Sequence, residues 1–418
     1  MVQRHGPALC ERAGGRFRAA AGCMDMDGIK RRLSKHSGQF ALFFAAVAVA
    51  GFSQSVVDAT LNNFLAESFS ISEFQRGFME LPREMPGFLV IFFSALFFFM
   101  GSRRLAALAN ALMALGIILL GFRSVSFPAM LMWLFIFSSG QHLFLPLISS
   151  IGMEFAADGK AGSRLGQLSG SANLAGIVGG VAVFVGFNYL GFTFVSSFTL
   201  AAAGFFAASV LIFFMTPDEP RPAKTRFLLR REYGLFYWLN ILYGTRKQLF
   251  ITFAPWVLVT VFHQKTQVVA TLLATGGVIG IFFKPLVGRA IDRLGERRIL
   301  MAEAAALIVV CLLYGFAGDA FEETAALYII CACYVVDQLL MSVGMARATY
   351  IKKIALDPAD VSQTLTMGVS IDHFFSIAIA LVSGWIWLAL GYQYVFLLGA
   401  GIALVNFFSA SRVRTPGG

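Results

Sequence analysis

Apolar stretches long enough to cross a lipid bilayer recur along the chain from residue 40 to residue 411. About 20 predominantly apolar residues suffice for one helical crossing. Because the interior of a bilayer offers the backbone no hydrogen-bond partners, each crossing is expected to be an α-helix. We predict an all-α polytopic membrane protein with twelve transmembrane helices, at 40–65, 77–100, 103–122, 126–155, 165–188, 190–215, 234–262, 267–288, 298–317, 324–350, 362–388 and 391–411.

The composition and the distribution of charge agree with this topology. Only 13% of the 418 residues are charged, whereas a soluble domain is nearer a quarter charged. With the N-terminus inside, the predicted outer loops hold only three of the 33 Lys and Arg residues: Arg76, Arg123 and Lys265. This excess of basic residues on one side is the positive-inside pattern. We therefore expect both termini in the cytoplasm, location in the inner (plasma) membrane, and no nucleic-acid partner despite the net charge of +10.

The N-terminal segment and the cysteines indicate which features the chain is not expected to have. Residues 1–35 are polar and basic, without an apolar core before a small-residue cleavage site, so no removable signal peptide is expected. The start at Met1 and starts at Met24 or Met26 remain alternatives. None of the five cysteines forms a CxxC pair, and we expect no disulfide framework, no metal site and no cofactor.

The longest polar stretch after the N-terminus, TPDEPRPAKTRFLLRRE at 216–232, divides the spans into six and six. A weak repeat supports this division, because Gly101-Ser-Arg-Arg after the second span resembles Gly295-Glu-Arg-Arg after the eighth, 194 positions later. We predict a cytoplasmic N-terminal segment at 1–39, six-helix bundles at 40–215 and 233–411, a cytoplasmic central loop at 216–232 and a cytoplasmic tail at 412–418.

The stretch GRAIDRLGERRIL at 288–300 is the most informative in the chain. Its glycines permit close helix packing and a tight turn, and its arginines suit an anionic lipid surface. Asp292 is able to pair with a cation or a helix N-terminus. The stretch resembles the signature loop of the major facilitator superfamily, whose pattern is matched by Gly288, Asp292, Arg293, Gly295, Arg297 and Arg298.

This resemblance, which covers about residues 36–412, implies a transporter that rocks two six-helix halves around a site at the middle of the membrane. In the family the loop is linked to holding and releasing the outward-facing state, so a gating role is expected for its six matching residues. The loop departs from the pattern at Glu296, where a basic residue is usual. The first-half copy has Phe98 in place of the aspartate, so only one of the two gates is expected to carry the acidic latch.

Ionisable residues lie within the spans, although a charge at the centre of a membrane helix costs at least about 2.5–3.5 kcal/mol. The resemblance implies that the first, fourth, seventh and tenth spans line a central cavity. Each carries such a group, and the eleventh span adds Asp372-His373. We predict substrate-binding residues Arg246, Lys247, Gln141, His142 and Tyr243, and proton-coupling residues Asp58, Asp337, Asp372 and His142.

Adjacent helix positions differ by about 100° in direction, so Arg246 and Lys247 cannot both point straight into the cavity. One division has Arg246 bind a carboxylate or phosphate of the substrate while Lys247 pairs with Asp337 or Asp372. The reverse assignment remains open. A carboxylate that loses its partner cation to the substrate holds a proton more readily, which would couple protons to transport.

The second span contains MELPREMPG near its predicted outer end. Glu80 and Arg83 are three positions apart on one helix face and are expected to form a local ion pair. The prolines at 82 and 86 bend the helix beside these groups. We predict a gating role at the outer mouth for Glu80, Arg83 and Glu84.

The preferred hypothesis is a monomeric, proton-coupled transporter of a small organic anion, with membrane lipid as its other partner. One alternative is a drug/proton antiporter that exports lipophilic cations. Asp58 and a partial antiporter motif in LAGIVGGVAVF at 174–184 favour it, with Gly176 in place of the motif's proline. Another is a non-transporting receptor or lipid-handling protein on the same scaffold. An enzyme is not expected, because H-E-x-x-H, nucleotide-loop and G-x-S-x-G motifs are missing from the sequence.

Overall fold

The computed structural model describes residues 26–89, 99–156, 161–218 and 229–414. The described residues form helices and connecting turns, with no strand. Short 3-10 turns at Arg231–Tyr233 and Met341–Val343 accompany fourteen α-helices. These are α1 (Met26–Phe69), α2 (Glu73–Phe78), α3 (Glu80–Phe88), α4 (Ser102–Arg123), α5 (Phe127–Glu154), α6 (Ala161–Tyr189), α7 (Phe194–Phe213), α8 (Gly234–Thr260), α9 (Thr266–Leu294), α10 (Glu296–Ala320), α11 (Glu323–Leu340), α12 (Gly344–Ile354), α13 (Pro358–Leu390) and α14 (Tyr392–Ala410).

Ten helical segments in the described part of the chain are long and apolar enough to cross a membrane. The second predicted span is not among them. Its described part consists of α2 and α3, while its remaining residues, 90–98, lie outside the described residues, as does Phe98 of the first-half loop. The seventh span, α8, is also not among the ten. It is nevertheless one continuous helix of 27 residues, with the charged residues Arg246 and Lys247 near its middle. Together these elements are consistent with twelve crossings.

Two spans are less regular than the sequence predicts. The second span begins at Glu73 and is divided at Met79, which ends α2 and precedes α3. The tenth span is divided by the 3-10 turn Met341–Val343, so α11 and α12 follow each other with a break just after the predicted site residue Asp337. The sequence beside Met79 is rich in charged residues and proline, whereas the sequence around Met341–Val343 is mainly apolar, so hydropathy alone does not reveal the second break.

The helices pack as two bundles with few elements shared between them. In the first half, α1 packs against α6 and α7, and α4 packs against α5 and α7. In the second half, α8 packs against α13 and α14, and α10 packs against α11 and α14. Contact between the halves is made mainly by α6 with α9 and by α13 with α2 and α3.

The halves meet closely at one end of the molecule, which we call the closed end and which carries the turns at 70–72 and 261–265. A Cβ added at Gly77 would lie 2.4 Å from the carbonyl oxygen of Ala380, and one added at Gly384 would lie 2.9 Å from that of Glu73. The Asn63 side-chain amide also donates a hydrogen bond of 2.9 Å to the carbonyl of Gln264. Glycine therefore permits α2 and α13 to touch backbone to backbone.

We expect Gly77→Val to open the closed end. The added side chain collides with the backbone of α13, which cannot move aside as a flexible side chain would, so α2 and α13 must separate. Spin labels at the exposed positions Val125 and Glu322, in a cysteine-free background, would report this by a shift of the distance distribution toward longer values.

The matched control is Gly401→Val, because a Cβ at Gly401 meets nothing within 4 Å. This variant should give the wild-type distance distribution. An unchanged distribution for Gly77→Val in a folded protein would contradict the proposed close contact.

Candidate functional site

A cavity of about 440 Å³ lies between the two halves. This volume is within the range of small-molecule sites in proteins. Four residues predicted for the site or for the outer gate lie in its wall: Asp58, Arg83, Gln141 and Asp337. The tenth span contributes two further polar side chains, Tyr334 and Gln338. The cavity therefore combines carboxylate, amide and phenol groups from both halves.

Asp58 is exposed within this cavity. Its Oδ1 accepts a hydrogen bond of 2.9 Å from the side-chain amide of Gln54, one helical turn earlier. Among the described residues, Asp58 forms no ion pair with a lysine or arginine. It is thus a charged group of the cavity wall that remains accessible to an entering molecule.

Arg246 and Asp337 form a buried ion pair between the seventh and tenth spans. Arg246 Nη2 lies 2.9 Å from Asp337 Oδ1, and the two residues are 2% and 3% exposed. The contact lacks hydrogen-bond geometry, so Nε, Nη1 and Nη2 of Arg246 form no hydrogen bond in the described structure. Asp337 lines the cavity and Arg246 lies against Phe250, whose ring centroid is 5.9 Å from its guanidinium carbon.

Lys247 pairs with Asp372 of the eleventh span. Lys247 Nζ donates a hydrogen bond of 2.6 Å to Asp372 Oδ2. A Cβ added at Gly244 would lie 1.6 Å from Asp372 Oδ1, so the carboxylate rests directly on the backbone of α8. Only glycine leaves room for it there. The two adjacent cations of α8 are therefore directed to carboxylates on two different helices.

Tyr243 belongs to a cluster inside the second half that also reaches Lys247, whose Nζ lies 5.8 Å from the centroid of the Tyr243 ring. The Arg347 guanidinium lies over its ring at 3.7 Å, and Arg347 Nη1 is 3.4 Å from Glu303 Oε2. Arg347 and Glu303 are 3% and 2% exposed. Glu303 was not among the predicted site residues, although it is an ionisable residue in an apolar span, the criterion that identified Asp337. The predicted substrate role of Tyr243 stays a prediction.

Glu80 is the centre of a buried network at the closed end. It is 0% exposed and accepts hydrogen bonds from Arg76 at 2.6 Å, from Arg83 at 3.0 Å and from Gln248 at 2.9 Å. The expected Glu80–Arg83 pair is therefore present. Arg76, placed in an outer loop by the sequence, is only 1% exposed because it joins this pair. Gln248 lies on α8, so Glu80 links the two halves.

Glu84, His142 and His373 come together one turn further along. Glu84 Oε2 is 2.7 Å from His373 Nδ1 and 3.9 Å from His142 Nε2. The two imidazole rings meet edge to face with their centroids 4.9 Å apart. His142 was predicted to bind substrate or protons from the fourth span, and the structure places it in this cluster. His373 stands out in the sequence beside Asp372, but nothing in the sequence connects it with Glu84, which is 289 positions away.

The signature loop joins α9 to α10 at Gly295, whose φ of +81° is in the region that favours glycine. Five charged residues of the stretch 288–300 are exposed: Arg289, Asp292, Arg293, Arg297 and Arg298. Glu296, the departure from the family pattern, is buried and lies 2.7 Å from Lys353 Nζ. The gating role of the loop, including Gly288, stays a prediction.

The first-half copy of the loop does contact an acidic residue. The backbone N–H groups of Ser102 and Arg103 donate hydrogen bonds of 2.7 and 3.0 Å to the carboxylate of Asp218. Asp218 follows α7 and thereby caps the N-terminus of α4. Arg103 also lies 3.4 Å from Glu154 at the end of α5. The acidic partner of the first-half copy is therefore Asp218, which lies outside the loop.

Solved structures with the same fold are transporters. A mutant of the nucleoside transporter NupG is 14% identical, with a TM-score of 0.72, over 89% of this chain and 98% of that one. A POT family transporter in complex with 5-aminolevulinic acid is 14% identical, with a TM-score of 0.70, over 88% and 94%. A D-xylose-proton symporter is 13% identical, with a TM-score of 0.66, over 91% and 99%. At such identities the likeness establishes the fold alone.

No curated protein matches the sequence. The family model described as Major Facilitator Superfamily matches residues 43–355. This match confirms the resemblance seen in the signature loop, and the twelve-helix fold of two six-helix bundles is confirmed with it. The chain therefore belongs to the Major Facilitator Superfamily, a family of membrane transporters and not of enzymes.

Proposed function

We propose that the protein is a secondary active transporter that moves a small organic anion across the membrane by alternating access, with protons as the coupling ion. The observation that carries this proposal is the state of Arg246. Its guanidinium is buried with Nη2 2.9 Å from Asp337 in the cavity wall, yet Nε and Nη1 have no hydrogen-bond partner in the described structure. A buried donor without a partner is costly, so this group favours an incoming acceptor.

A carboxylate or phosphate suits the unused donors of Arg246. A guanidinium presents N–H groups in a planar fork that matches two oxygen atoms of such an anion. The anion reaches Arg246 from the cavity by taking the place of Asp337, which stands between them. Substrate binding therefore competes with the Arg246–Asp337 ion pair.

This competition gives a route to proton coupling. When an anion takes Arg246, Asp337 is left in a buried position without its cation. Burial without a counter-charge favours the neutral form of a carboxyl group. The substrate and one proton would then occupy the site together, which corresponds to symport.

Lys247 and Asp372 serve in this proposal as a fixed link between the seventh and eleventh spans. Their hydrogen bond of 2.6 Å has good geometry, and the Asp372 carboxylate packs directly against Gly244 without space to move toward it. Of the two divisions that the sequence left open, these contacts favour Arg246 as the residue that meets substrate. Gln141, in the same cavity wall, would donate or accept a further hydrogen bond.

Alternating access follows from the positions of the inter-half contacts. In the proposed orientation, with both termini in the cytoplasm, the closed end would lie at the outer face and the structure would correspond to an inward-facing state. Glu80 and Glu84, which contact Gln248 and His373 of the other half, would be the outer gate with Arg83. Opening this end requires those contacts to break, while the exposed charges of the signature loop would find partners as the other end closes.

Asp58 supports a second candidate, the export of lipophilic cations in exchange for protons. It is an exposed carboxylate of the cavity that has no ion-pair partner among the described residues. A cation would bind there without displacing any charged group. Both candidates place the chain in the inner (plasma) membrane as a monomer with cytoplasmic termini.

The anion proposal predicts that Arg246→Ala and Lys247→Ala abolish uptake. Arg246→Ala removes the donors for the substrate, and Lys247→Ala leaves Asp372 unpaired in the wall between spans. Uptake is measured in proteoliposomes with an inward proton gradient, using a panel of radiolabelled mono- and dicarboxylates and sugar phosphates. We expect at least one of these to accumulate with the wild type and to fall at least about tenfold with Arg246→Ala, the loss of one site contact.

Arg123→Ala is the control, because Arg123 is an exposed residue at the end of α4 and should retain full uptake. The proposal is wrong if both α8 variants, incorporated at equal amounts, still accumulate the anion. Accumulation of a lipophilic cation dye in inverted vesicles, lost with Asp58→Asn, would instead support the second candidate.

Asp337→Asn should separate binding from coupling. The amide keeps the size of the carboxyl group but cannot exchange a proton, and it leaves Arg246 free for the anion. We therefore expect counterflow of the anion to continue while accumulation driven by a pH gradient is lost. Gradient-driven accumulation equal to the wild type would exclude Asp337 as the coupling residue.

A further inference from the structure

We propose that Glu84, His142 and His373 bind a divalent transition-metal ion such as Zn²⁺ between the two halves, and that the bound ion holds the closed end shut. The three side chains come from three helices. Glu84 on α3 and His142 on α5 belong to the first half, and His373 on α13 belongs to the second. Their potential ligand atoms all lie within 4.8 Å of one another.

The donor set matches the chemistry of zinc. Two imidazole nitrogens and one carboxylate oxygen are a known set for zinc sites that keep a fourth position open for water or another ligand. With metal–ligand bonds of about 2.0–2.1 Å, tetrahedral donors stand about 3.3 Å apart. The Glu84 oxygen is 2.7 Å from His373 Nδ1 and 3.9 Å from His142 Nε2, so side-chain movements of under about 1.5 Å reach that geometry.

The surroundings of His142 orient it as a ligand. Its Nδ1 lies 3.0 Å from the backbone carbonyl oxygen of Ser138. Ser138 Oγ is also 3.0 Å from Nδ1, but it donates its own proton to the backbone carbonyl of Arg83. Both neighbours of Nδ1 therefore act as acceptors, which favours the neutral tautomer with the proton on Nδ1. The lone pair is then on Nε2, the atom that faces Glu84. Metal-binding histidines are commonly oriented by such a second hydrogen bond to a backbone carbonyl.

Gly87 permits the two imidazoles to approach each other. A Cβ at this position would lie 2.5 Å from Cδ2 of His142 and 2.8 Å from both His142 Nε2 and Cε1 of His373. Any larger residue would push the rings apart. Glycine at this position of α3, one turn after Glu84, therefore permits the ligands of the two halves to approach each other.

The nearby cations do not compete for Glu84. Arg83 pairs with Glu80 at 3.0 Å, and Lys247 pairs with Asp372 at 2.6 Å. Among the described residues, the two histidines are the ion-pair partners of Glu84. Glu84 and His142 are each 8% exposed, so bulk water does not satisfy them. A metal ion would bind all three groups at once.

Sequence motifs do not indicate this site, because the chain contains no CxxC pair and no short histidine motif. His142 and His373 are 231 positions apart, and each stands alone in an apolar helix. The binding site does not depend on the substrate proposed above. Only its consequence depends on alternating access, because an ion that joins α3 and α5 to α13 must leave before the closed end opens.

Binding is tested with protein purified without a polyhistidine tag and treated with a chelator. Titration of the wild type with Co²⁺ should give the visible absorption of low-coordinate cobalt, and one equivalent of Zn²⁺ should remove it. We expect His142→Gln, His373→Gln and Glu84→Gln to weaken Zn²⁺ binding at least about tenfold. Gly87→Ala should weaken it as well, although it removes no ligand.

The matched control is His263→Asn, since His263 is exposed in the turn after α8, with a φ of +51° that asparagine tolerates. It should bind like the wild type, and size-exclusion profiles and melting temperatures verify that each variant is folded. The absence of low-coordinate Co²⁺ absorption in the wild type would overturn the site without reference to any variant. Equal Zn²⁺ affinity in the folded ligand variants would overturn it too.

The locking effect is measured separately with the spin labels at positions 125 and 322. Zn²⁺ should increase the population of the short distance in the wild type and leave His373→Gln unchanged. An unchanged distribution in the Zn²⁺-bound wild type would overturn the lock. Neither the metal titration nor the distance measurement uses a transport assay. A failure of the zinc proposal and a failure of the anion proposal would therefore be detected in separate experiments.

Discussion

The pairing of buried charges determines how the spans of this protein pack. A charge without a partner in a membrane helix costs several kcal/mol, and each buried or half-buried cation among the described residues of the second half lies against a carboxylate of another helix. Three such pairs join different spans there: Arg246 with Asp337, Lys247 with Asp372, and Arg347 with Glu303. By contrast, the halves are joined through Glu80 to the neutral amide of Gln248 and through Glu84 to an imidazole. Water is able to replace an amide or an imidazole partner at low cost. The pairs of Lys247 with Asp372 and of Arg347 with Glu303 therefore hold spans of the second half together, whereas the contacts between the halves, which must break when the closed end opens, are those that cost least to lose.

The two copies of the signature loop show how an internal repeat has diverged under this constraint. In the first half, Asp218 caps the N-terminus of α4, and Arg103 reaches Glu154. In the second half, Glu296 is buried against Lys353, and Asp292 remains exposed. The first loop is thus tied to its own half by a residue of the central segment. The second loop keeps charged groups available for a partner that the present arrangement of the halves does not supply.

The spans and the family could be predicted from the sequence, whereas the partners of the charged residues could not. Hydropathy identifies a crossing because its length and composition are local properties, and the loop at 288–300 is a contiguous motif. The rotation of each helix about its own axis cannot be predicted in this way. A membrane helix is apolar both on the sides that pack against other helices and on the side that faces lipid. The sequence therefore left Lys247 with two possible carboxylates, assigned Arg76 to a loop and gave no reason to connect Glu84 with His373. Those contacts depend on how spans far apart in the chain are rotated and shifted along each other.

Electrostatic balance in the cavity connects the proposed substrate to the proposed coupling ion. Asp58 and Asp337 both line the cavity, and Arg83, its basic residue, is already paired with Glu80. An anion that entered this cavity alone would add negative charge beside two carboxylates in a region of low dielectric, where repulsion is stronger than in water. Release of Arg246 from Asp337 provides one positive group, and a proton on Asp337 removes the negative charge left behind. The proton on Asp337 offsets the negative charge that the anion adds, so the loaded cavity would carry the same net charge as the empty one. In this proposal, an anionic substrate and a coupled proton therefore follow from one charge balance.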